Sequence, residues 1–220
     1  MAALAAGVVA VVVNWPGGLG TTSAVRVESG PSASLYRWAA EAVAGGPDGF
    51  AGVLDTASAG ALVLLGLLFA AGWWTARGRG AYAVATGILG GVGAVLGYAG
   101  SEALKLVVDE ERPCRVLAAG LDLAAHCPPT GDWAFPSNHA AIAGGLAAGL
   151  VLLSPRLGAV AVPLAGLVAA LRVLAGVHYP HDVLAGLFLG ATVTTTVVLL
   201  CAPVAAGATN AFRRDARDSP

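Results

Sequence analysis

Three separated polar clusters in an otherwise apolar sequence contain the residues that could do chemistry. They are Lys105-x6-Arg112-Pro113, Pro136-Ser137-Asn138-His139 and Arg172-x5-His178-x3-Asp182. They supply cations, imidazoles and a carboxylate, and Lys105 is the only lysine of the chain. Such groups can bind and cleave a phosphate ester, because cations offset the phosphoryl charge and a histidine can act as nucleophile or acid.

The first cluster places two cations on one face of a helix. Lys105 and Arg112 are seven residues apart, so on a continuing helix they project in the same direction, and Pro113 then ends the helix. Lipid-headgroup anchoring, or pairing with the acidic residues at 109–111, would explain either cation alone. The pair together with the other clusters favours a shared bound anion.

The second cluster stands directly before an apolar helix. The free N–H groups and the positive dipole end of such a helix bind anions, and Ser137 can add its hydroxyl. Ser137 and Asn138 read alone are also a good helix N-cap. His139 is harder to explain structurally, because no carboxylate lies near it in sequence.

The third cluster places a carboxylate where it can make a histidine a better nucleophile or base. His178 and Asp182 are four residues apart, and a carboxylate one turn from an imidazole can hold its tautomer and raise its basicity. Arg172 ends the preceding apolar stretch and adds a third cation. His178, His181 and Asp182 could instead form a metal site, but no strong ligand spacing recurs elsewhere, so no metal or cofactor is expected.

Composition indicates the elements that must position these clusters. Hydrophobic residues make up 57% of the 220 residues, charged residues 11%, and mean hydropathy is +0.76. The net charge of −1 offers no basic field for nucleic acid. We therefore predict an all-α, polytopic membrane helical bundle of about six transmembrane helices.

The apolar windows predict the individual helices. Spans are expected at 58–74, 81–104, 139–153, 157–175 and 183–202. The opening stretch 1–13 is too short to span unless it continues to about residue 19, and a cleaved signal peptide is the alternative. A short helix is predicted from Ser32 to Ala44, either lying on the membrane surface with Leu35 and Trp38 on its apolar face or packed as an ordinary loop helix. Gly93-x3-Gly97 and Gly186-x3-Gly190 have the spacing of helix contact points.

Charge predicts the orientation. With six spans and a cytoplasmic N-terminus, all three clusters fall at one membrane face, so they are expected to form one pocket. Setting aside the cluster cations leaves six basic residues inside against three outside, which places the pocket on the outer face. Cys114 and Cys127 lie on that side and could either form a disulfide or remain free thiols.

The three clusters, in this order, resemble the signature of the type-2 phosphatidic acid phosphatase superfamily, K-x6-RP, PSGH and SR-x5-H-x3-D. The match runs from Lys105 to Asp182, and the family comprises six-helix membrane lipid phosphatases and soluble vanadium haloperoxidases. Asn138 stands where the family has glycine, and Leu171 where it has serine.

The resemblance implies a role for each matching position. Phosphoryl oxygens would be held by Lys105, Arg112, Arg172, Ser137 and the backbone of Asn138. His178 would attack phosphorus to form a phosphohistidine, with Asp182 orienting it, and His139 would protonate the leaving oxygen. The added side chain of Asn138 is expected to narrow the pocket or contact the substrate.

The resemblance also implies a lipid phosphate substrate in a bacterial plasma membrane, with polyprenyl diphosphate favoured because Gly176-Val177-His178-Tyr179-Pro180 is similar to undecaprenyl-diphosphate members. Phosphatidylglycerol phosphate, phosphatidic acid and a polyprenyl-phosphoryl sugar phosphate stay open. We expect one domain over 1–220, a catalytic core at about 81–202 and a flexible tail at about 204–220. A small lipid or anion transporter is the alternative class, but its ionisable groups should lie near the membrane midplane.

Overall fold

The computed structural model describes residues 2–17, 23–118 and 127–218, with the side chains of 2–4 and 211–218 left aside. The described helices are α1 (Ala2–Val13), α2 (Pro31–Ala44), α3 (Phe50–Ala76), α4 (Ala81–Lys105), α5 (Pro113–Val116), α6 (Asn138–Leu153), α7 (Pro155–Leu174) and α8 (Pro180–Asp218). No strand occurs in these segments, and the one β-bridge pairs Val25 with Glu110.

Four described helices are long and apolar enough to cross a membrane. They cover Phe50–Arg79, Ala81–Lys105, Pro155–Leu174 and Pro180–Asn210. Helix α6 is a shorter apolar helix of 16 residues, about 24 Å long. Helix α1 has 12 residues and is shorter than a span requires. The prediction of an all-α membrane bundle is confirmed.

Two spans are longer than their apolar windows. Helix α3 begins at Phe50 rather than residue 58, after Gly49 in the left-handed conformation. The predicted window of 58–74 therefore left out Asp55, which lies within the helix and pairs with Arg172. Helix α8 runs through Pro203 to Asp218, so residues 204–218, predicted as a tail, continue the last helix.

Small residues let α4, α6 and α8 approach closely. A Cβ on Gly97 would lie 2.9 Å from the Cα of Gly190, and one on Gly93 would lie 2.6 Å from the Cα of Thr194. A Cβ on Gly190 would lie 1.8 Å from the carbonyl oxygen of Ala141. Both predicted glycine pairs are therefore helix contact points, and these contacts hold α4, α6 and α8 close together.

The chain before α3 covers one end of the bundle. Helix α2 buries Tyr36, whose hydroxyl donates to the carbonyl of Gly176 at 3.0 Å and whose ring lies 5.7 Å from that of Tyr179. Leu35 and Trp38 are exposed. Of the face predicted to be apolar, Leu35 and Trp38 thus point outward while Ala39 is buried, and Tyr36 anchors the helix to the bundle.

A disulfide joins Cys114 to Cys127. It therefore fixes the loop that follows Arg112 to the segment that leads into α6. The sequence left open whether these two cysteines form a disulfide or remain free thiols, and the structure shows the disulfide.

Candidate active site

The three clusters lie at one end of the bundle. The C-terminal ends of α4 and α7 meet the N-terminal ends of α6 and α8 there. The Ser137 N–H donates to the carbonyl of Asp182 at 3.1 Å, which joins α6 to α8. The Ser101 hydroxyl oxygen lies 3.2 Å from the carbonyl oxygen of Pro136, which joins α4 to the turn before α6. The meeting of these four helix ends therefore brings the side chains of the three clusters into one pocket.

His178 lies between a carboxylate and a guanidinium. Its Nδ1 is 3.3 Å from Oδ2 of Asp182, and its Nε2 is 3.2 Å from Nη1 of Arg112. Because a guanidinium can only donate, Nε2 is an acceptor and the ring proton sits on Nδ1, facing Asp182. The Tyr179 N–H donates to the same Oδ2 at 2.8 Å and fixes the carboxylate. This tautomer leaves the nucleophilic lone pair on Nε2.

The surroundings of His178 keep its ring neutral. Burial lowers the pKa of His178 well below its usual range, and the positive charges of Arg112, Arg172 and Lys105 lower it further. A neutral imidazole at physiological pH is the form that can attack an electrophile.

Every donor of Arg112 is already engaged by the protein. Nε donates to the Asp132 carbonyl at 2.8 Å, and Nη1 contacts the Val177 carbonyl at 3.0 Å and His178. Nη2 donates to Oδ1 of Asp132 at 2.8 Å and to the Trp133 carbonyl at 3.3 Å. An arginine has five N–H donors, so a phosphoryl oxygen can reach this one only by replacing a present partner.

The other two cations are also paired with carboxylates. Nζ of Lys105 lies 3.3 Å from Oε1 of Glu102 and 3.7 Å from Oδ1 of Asp132, beside a polar cavity of about 520 Å³. Nη1 of Arg172 donates to Asp55, while its buried Nε has no hydrogen-bond partner among the described residues. The free Nε can donate to a bound anion.

Ser137 and the start of α6 present donors without partners. The Ser137 side chain is fully buried, and its Oγ forms no hydrogen bond within the described segments. It caps α6, whose first N–H groups are free to bind an anion. This unsatisfied hydroxyl suits one further phosphoryl oxygen.

His139 follows in the first turn of α6. Its half-buried ring forms no hydrogen bond to a described residue and lies in the fields of Arg172, Asp55 and Arg112. Its side chain is therefore available to a substrate oxygen.

Sequence and structure comparisons place the chain among known proteins. The PAP2 superfamily pattern matches residues 81–204, more than half of the chain. The chain belongs to the PAP2 superfamily. A solved structure, the first transmembrane PAP2-type phosphatidylglycerolphosphate phosphatase from Bacillus subtilis, matches with a TM-score of 0.59 and 20% identity. The match covers 91% of this chain and 96% of that one, and shows a shared fold. No curated protein matches the sequence.

Two positions depart from the PAP2 signature. Asn138 accepts a hydrogen bond from the Ser101 hydroxyl at 2.7 Å and donates to Glu102. Its amide is thus bound to α4, one turn before Lys105. Leu171 is buried and contributes no donor. The side chain of Asn138 thus connects α6 to α4, and its effect on the substrate stays a prediction.

Sequence reasoning missed the partners of the site. Asp55, Asp132 and Glu102 neutralise the cations, and none belongs to a motif. The only sequence feature that indicated these carboxylates as partners was their position near the helix ends that contain the cations. Glu110 was considered only as a surface partner of the cations, yet it is fully buried beside Asp182.

One group in the described segments has donor atoms close enough for a metal ion. Glu110, His181 and Asp182 place one such atom each within 4.8 Å of one another. Both ring nitrogens of His181 are already within hydrogen-bond distance of protein oxygens. The alternative metal set of His178, His181 and Asp182, which the sequence left as the less favoured interpretation, is not brought together in this way, because His178 faces the other oxygen of Asp182.

Proposed function

We propose that the chain is an integral-membrane lipid phosphatase that removes a phosphate from a lipid phosphate or diphosphate without a metal, with polyprenyl diphosphate as the favoured substrate. The observation that carries the proposal is His178. Its ring is neutral, its proton faces Asp182, and its Nε2 points toward cations that could bind a phosphoryl group.

The geometry supports a two-step transfer. Nε2 of His178 attacks phosphorus, the bond from phosphorus to the lipid oxygen breaks, and His139 gives its proton to that oxygen. Water then attacks the phosphohistidine and returns a proton to His139, the P–N bond breaks, and inorganic phosphate leaves. Lys105, Arg112, Arg172, Ser137 and the backbone of Asn138 would hold the charge that develops on the oxygens.

An apolar cavity supports a lipid as substrate. It has a volume of about 560 Å³ between α6, α7 and α8, and Leu184 on its wall lies two residues beyond Asp182. Gly144, Val162 and Phe188 are among its other lining residues. A hydrocarbon chain in this cavity would enter from the bilayer while its phosphate reaches the polar end.

Two observations bear on the identity of the lipid substrate, and they favour different lipids. The stretch from Gly176 to Pro180 is similar to undecaprenyl-diphosphate phosphatases, which favours polyprenyl diphosphate. The Bacillus subtilis structure is named for phosphatidylglycerolphosphate, which makes that lipid the second candidate.

The test is phosphate release by purified protein in EDTA from undecaprenyl diphosphate, phosphatidylglycerol phosphate and phosphatidic acid. His178→Ala and His139→Ala are expected to lose turnover, while His126→Ala, which removes a histidine outside the clusters, keeps it. Full turnover of both cluster variants would refute the mechanism. The best substrate of the panel identifies the lipid.

We further propose that the pocket faces outward from a bacterial plasma membrane. The experiment uses a Cys201→Ala background with Thr130→Cys beside the pocket, or Gly78→Cys in the turn after α3. Both positions are exposed. An impermeant thiol reagent on intact cells is expected to label the first and not the second, and the opposite pattern would reverse the orientation.

A further inference from the structure

A group of side chains that can bind a metal lies behind the nucleophile. Oε1 of Glu110 is 3.0 Å from Nε2 of His181, and the same Nε2 is 3.2 Å from Oδ1 of Asp182. One ligand atom of each residue lies within 4.8 Å of the other two. Glu110 and Asp182 are fully buried, and the side chain of His181 is 13% exposed. Spacing in the sequence could not reveal this group, because Glu110 is 71 positions from His181.

One oxygen of Asp182 has no hydrogen-bond partner. Its Oδ2 accepts the N–H of Tyr179 at 2.8 Å and faces Nδ1 of His178, but the buried Oδ1 forms no hydrogen bond among the described residues. A proton on Nε2 of His181 cannot supply one, because that nitrogen is in hydrogen-bond geometry with Glu110 instead. A buried carboxylate oxygen without a partner is costly. A divalent cation between the three side chains would contact Oδ1, Glu110 and His181 together.

The distances between the ligand atoms suit a small divalent cation. Zinc bonds to imidazole nitrogen and carboxylate oxygen at about 2.0–2.2 Å, so neighbouring ligand atoms of a tetrahedral site are about 3.4 Å apart. The two carboxylate oxygens are 3.0 and 3.2 Å from Nε2 of His181, which is close to this separation. Oε2 of Glu110, at 3.3 Å from Nε2, or a water molecule can take the fourth position. Only a small outward shift of the carboxylates would therefore complete a tetrahedral site.

The surroundings of His181 orient its ring as a metal ligand. When one ring nitrogen of a histidine binds a metal, the other carries the proton and donates it to a nearby acceptor. Nδ1 of His181 is 2.6 Å from the hydroxyl oxygen of Ser32 on α2, which can accept this proton. The ring also stacks on Tyr179 at 5.3 Å and on Phe135 at 6.1 Å between centroids. Nε2 is therefore held toward the two carboxyl groups.

The type and number of the ligands favour zinc over the common hard cations. Calcium takes about six to eight oxygen ligands, and magnesium keeps an octahedral shell of oxygens that includes several waters. The group offers an imidazole nitrogen and two carboxyl groups in a buried place. Two carboxylates also balance the charge of one divalent cation, so the loaded site is neutral, which offsets the cost of burying each charge alone.

We propose that Glu110, His181 and Asp182 form a zinc site that joins α8 to the segment before α5 and, through Ser32, to α2. The site goes beyond the proposed function and does not rest on it. The ion contacts Oδ1 of Asp182, whereas His178 faces Oδ2, so no reacting atom of the proposed transfer touches the metal. Its role is to hold together the segments that cover this end of the bundle.

Zinc binding by the full-length protein tests the site without a substrate. The protein is purified in detergent without a histidine tag, freed of metal with EDTA, and titrated with zinc against a chromophoric indicator once the EDTA is removed. Wild type should bind one zinc ion per chain. His181→Ala and Glu110→Gln should weaken this binding more than about 100-fold, because loss of a residue behind a ligand alone weakens it about 10- to 100-fold. Glu111→Gln is the matched control and should bind like wild type, because Glu111 faces Arg115 instead.

A variant that keeps all three ligands tests the site even if a ligand substitution unfolds the protein. Ser32→Ala removes the acceptor of Nδ1 and should weaken zinc binding about 10- to 100-fold. Ser34→Ala on the same helix should leave it unchanged, because the Ser34 hydroxyl donates to the carbonyl of Gly30. Saturating zinc should also raise the apparent melting temperature of wild type and of Ser34→Ala, but not that of His181→Ala.

X-ray absorption of the zinc-loaded wild type identifies the ligands. The spectrum should contain one imidazole nitrogen and oxygen ligands at about 2.0–2.2 Å, without sulfur. Absence of zinc binding by wild type would overturn the proposal and leave His181 as a hydrogen-bond donor to Glu110. Binding that is unchanged in folded His181→Ala and Glu110→Gln would also overturn it, by showing that the ion lies elsewhere. Because none of these measurements uses turnover, a failure of the phosphate-release test would leave their outcome unaffected.

Discussion

Asp132 lies between two of the cations that, under the proposed function, would bind a phosphoryl oxygen. Its Oδ1 lies 2.8 Å from Nη2 of Arg112 and 3.7 Å from Nζ of Lys105. Partial burial raises the pKa of Asp132, but the hydrogen bond and charge of Arg112, with the charge of Lys105, lower it overall. The carboxylate is therefore ionised at neutral pH and, under the proposed function, would compete with phosphate for two cations.

The substitution Asp132→Asn should strengthen phosphate binding. It removes the competing charge and leaves the backbone carbonyl that Nε of Arg112 uses. A hydrogen bond to a charged group contributes about 1.5–3 kcal/mol, and the exposure of this carboxylate reduces the effect to about 1 kcal/mol. Since about 1.4 kcal/mol is a tenfold change, inorganic phosphate should bind about fivefold more tightly.

Product inhibition by phosphate and the KM for the lipid measure this effect, and both constants should fall about fivefold while kcat stays within twofold. Asp109→Asn is the matched control. Asp109 lines the same cavity, but its side chain forms no ion pair with a described residue. Unchanged phosphate inhibition in Asp132→Asn, or an equal change in Asp109→Asn, would refute displacement and leave only a general charge effect.

Three further outcomes follow from packing, the disulfide and the buried histidine. Gly190→Ala should lower the apparent melting temperature in detergent by an amount corresponding to about 1–3 kcal/mol, because its methyl group would meet a backbone carbonyl on α6, while Gly60→Ala, with open space around it, should not. Replacing Cys114 and Cys127 by serine should cost up to about 3 kcal/mol by the same assay, since the bridge closes a loop of about 14 residues. Burial lowers the pKa of His178 in the folded state, so the folded protein loses stability as pH falls below about 6.5, the pKa of an unfolded histidine. In His178→Asn, the apparent melting temperature should depend less on pH in this acidic range. An unchanged pH dependence of the melting temperature would contradict the prediction.

The gathering of the motifs could be predicted because it depends on local features. Apolar length defined the spans, proline and glycine defined their ends, and antiparallel connection then placed every cluster at the same end. Lys105 at the end of α4 and His139 at the start of α6 needed no long-range information. The spacing of Gly93 and Gly97, and of Gly186 and Gly190, likewise predicted helix contact points, although not that Gly97 would face Gly190.

The partners of the cations could not be predicted in this way. Asp55 and Arg172 are separated by 117 positions, and no periodic pattern connects them. Helix α2 presented a similar difficulty, because two of its faces contain apolar residues. Only the contacts of Tyr36 with Gly176 and Tyr179 decide which face is buried.

The cations of the site and their carboxylate partners differ in how far they are exposed to solvent, and this difference matters for phosphate binding under the proposed function. Side chains of Lys105, Arg112 and Arg172 are less than 10% exposed, while those of Glu102, Asp132 and Asp55 are 45–49% exposed. An unpaired buried cation is costly, so the carboxylates stabilise the site when it holds no phosphate. Because these carboxylates already reach solvent, they can rotate outward at little cost while the cations stay fixed. Under the proposed function, an entering phosphate would replace the carboxylates while the buried cations stay in place, and its affinity would be set by the difference between two sets of ion pairs.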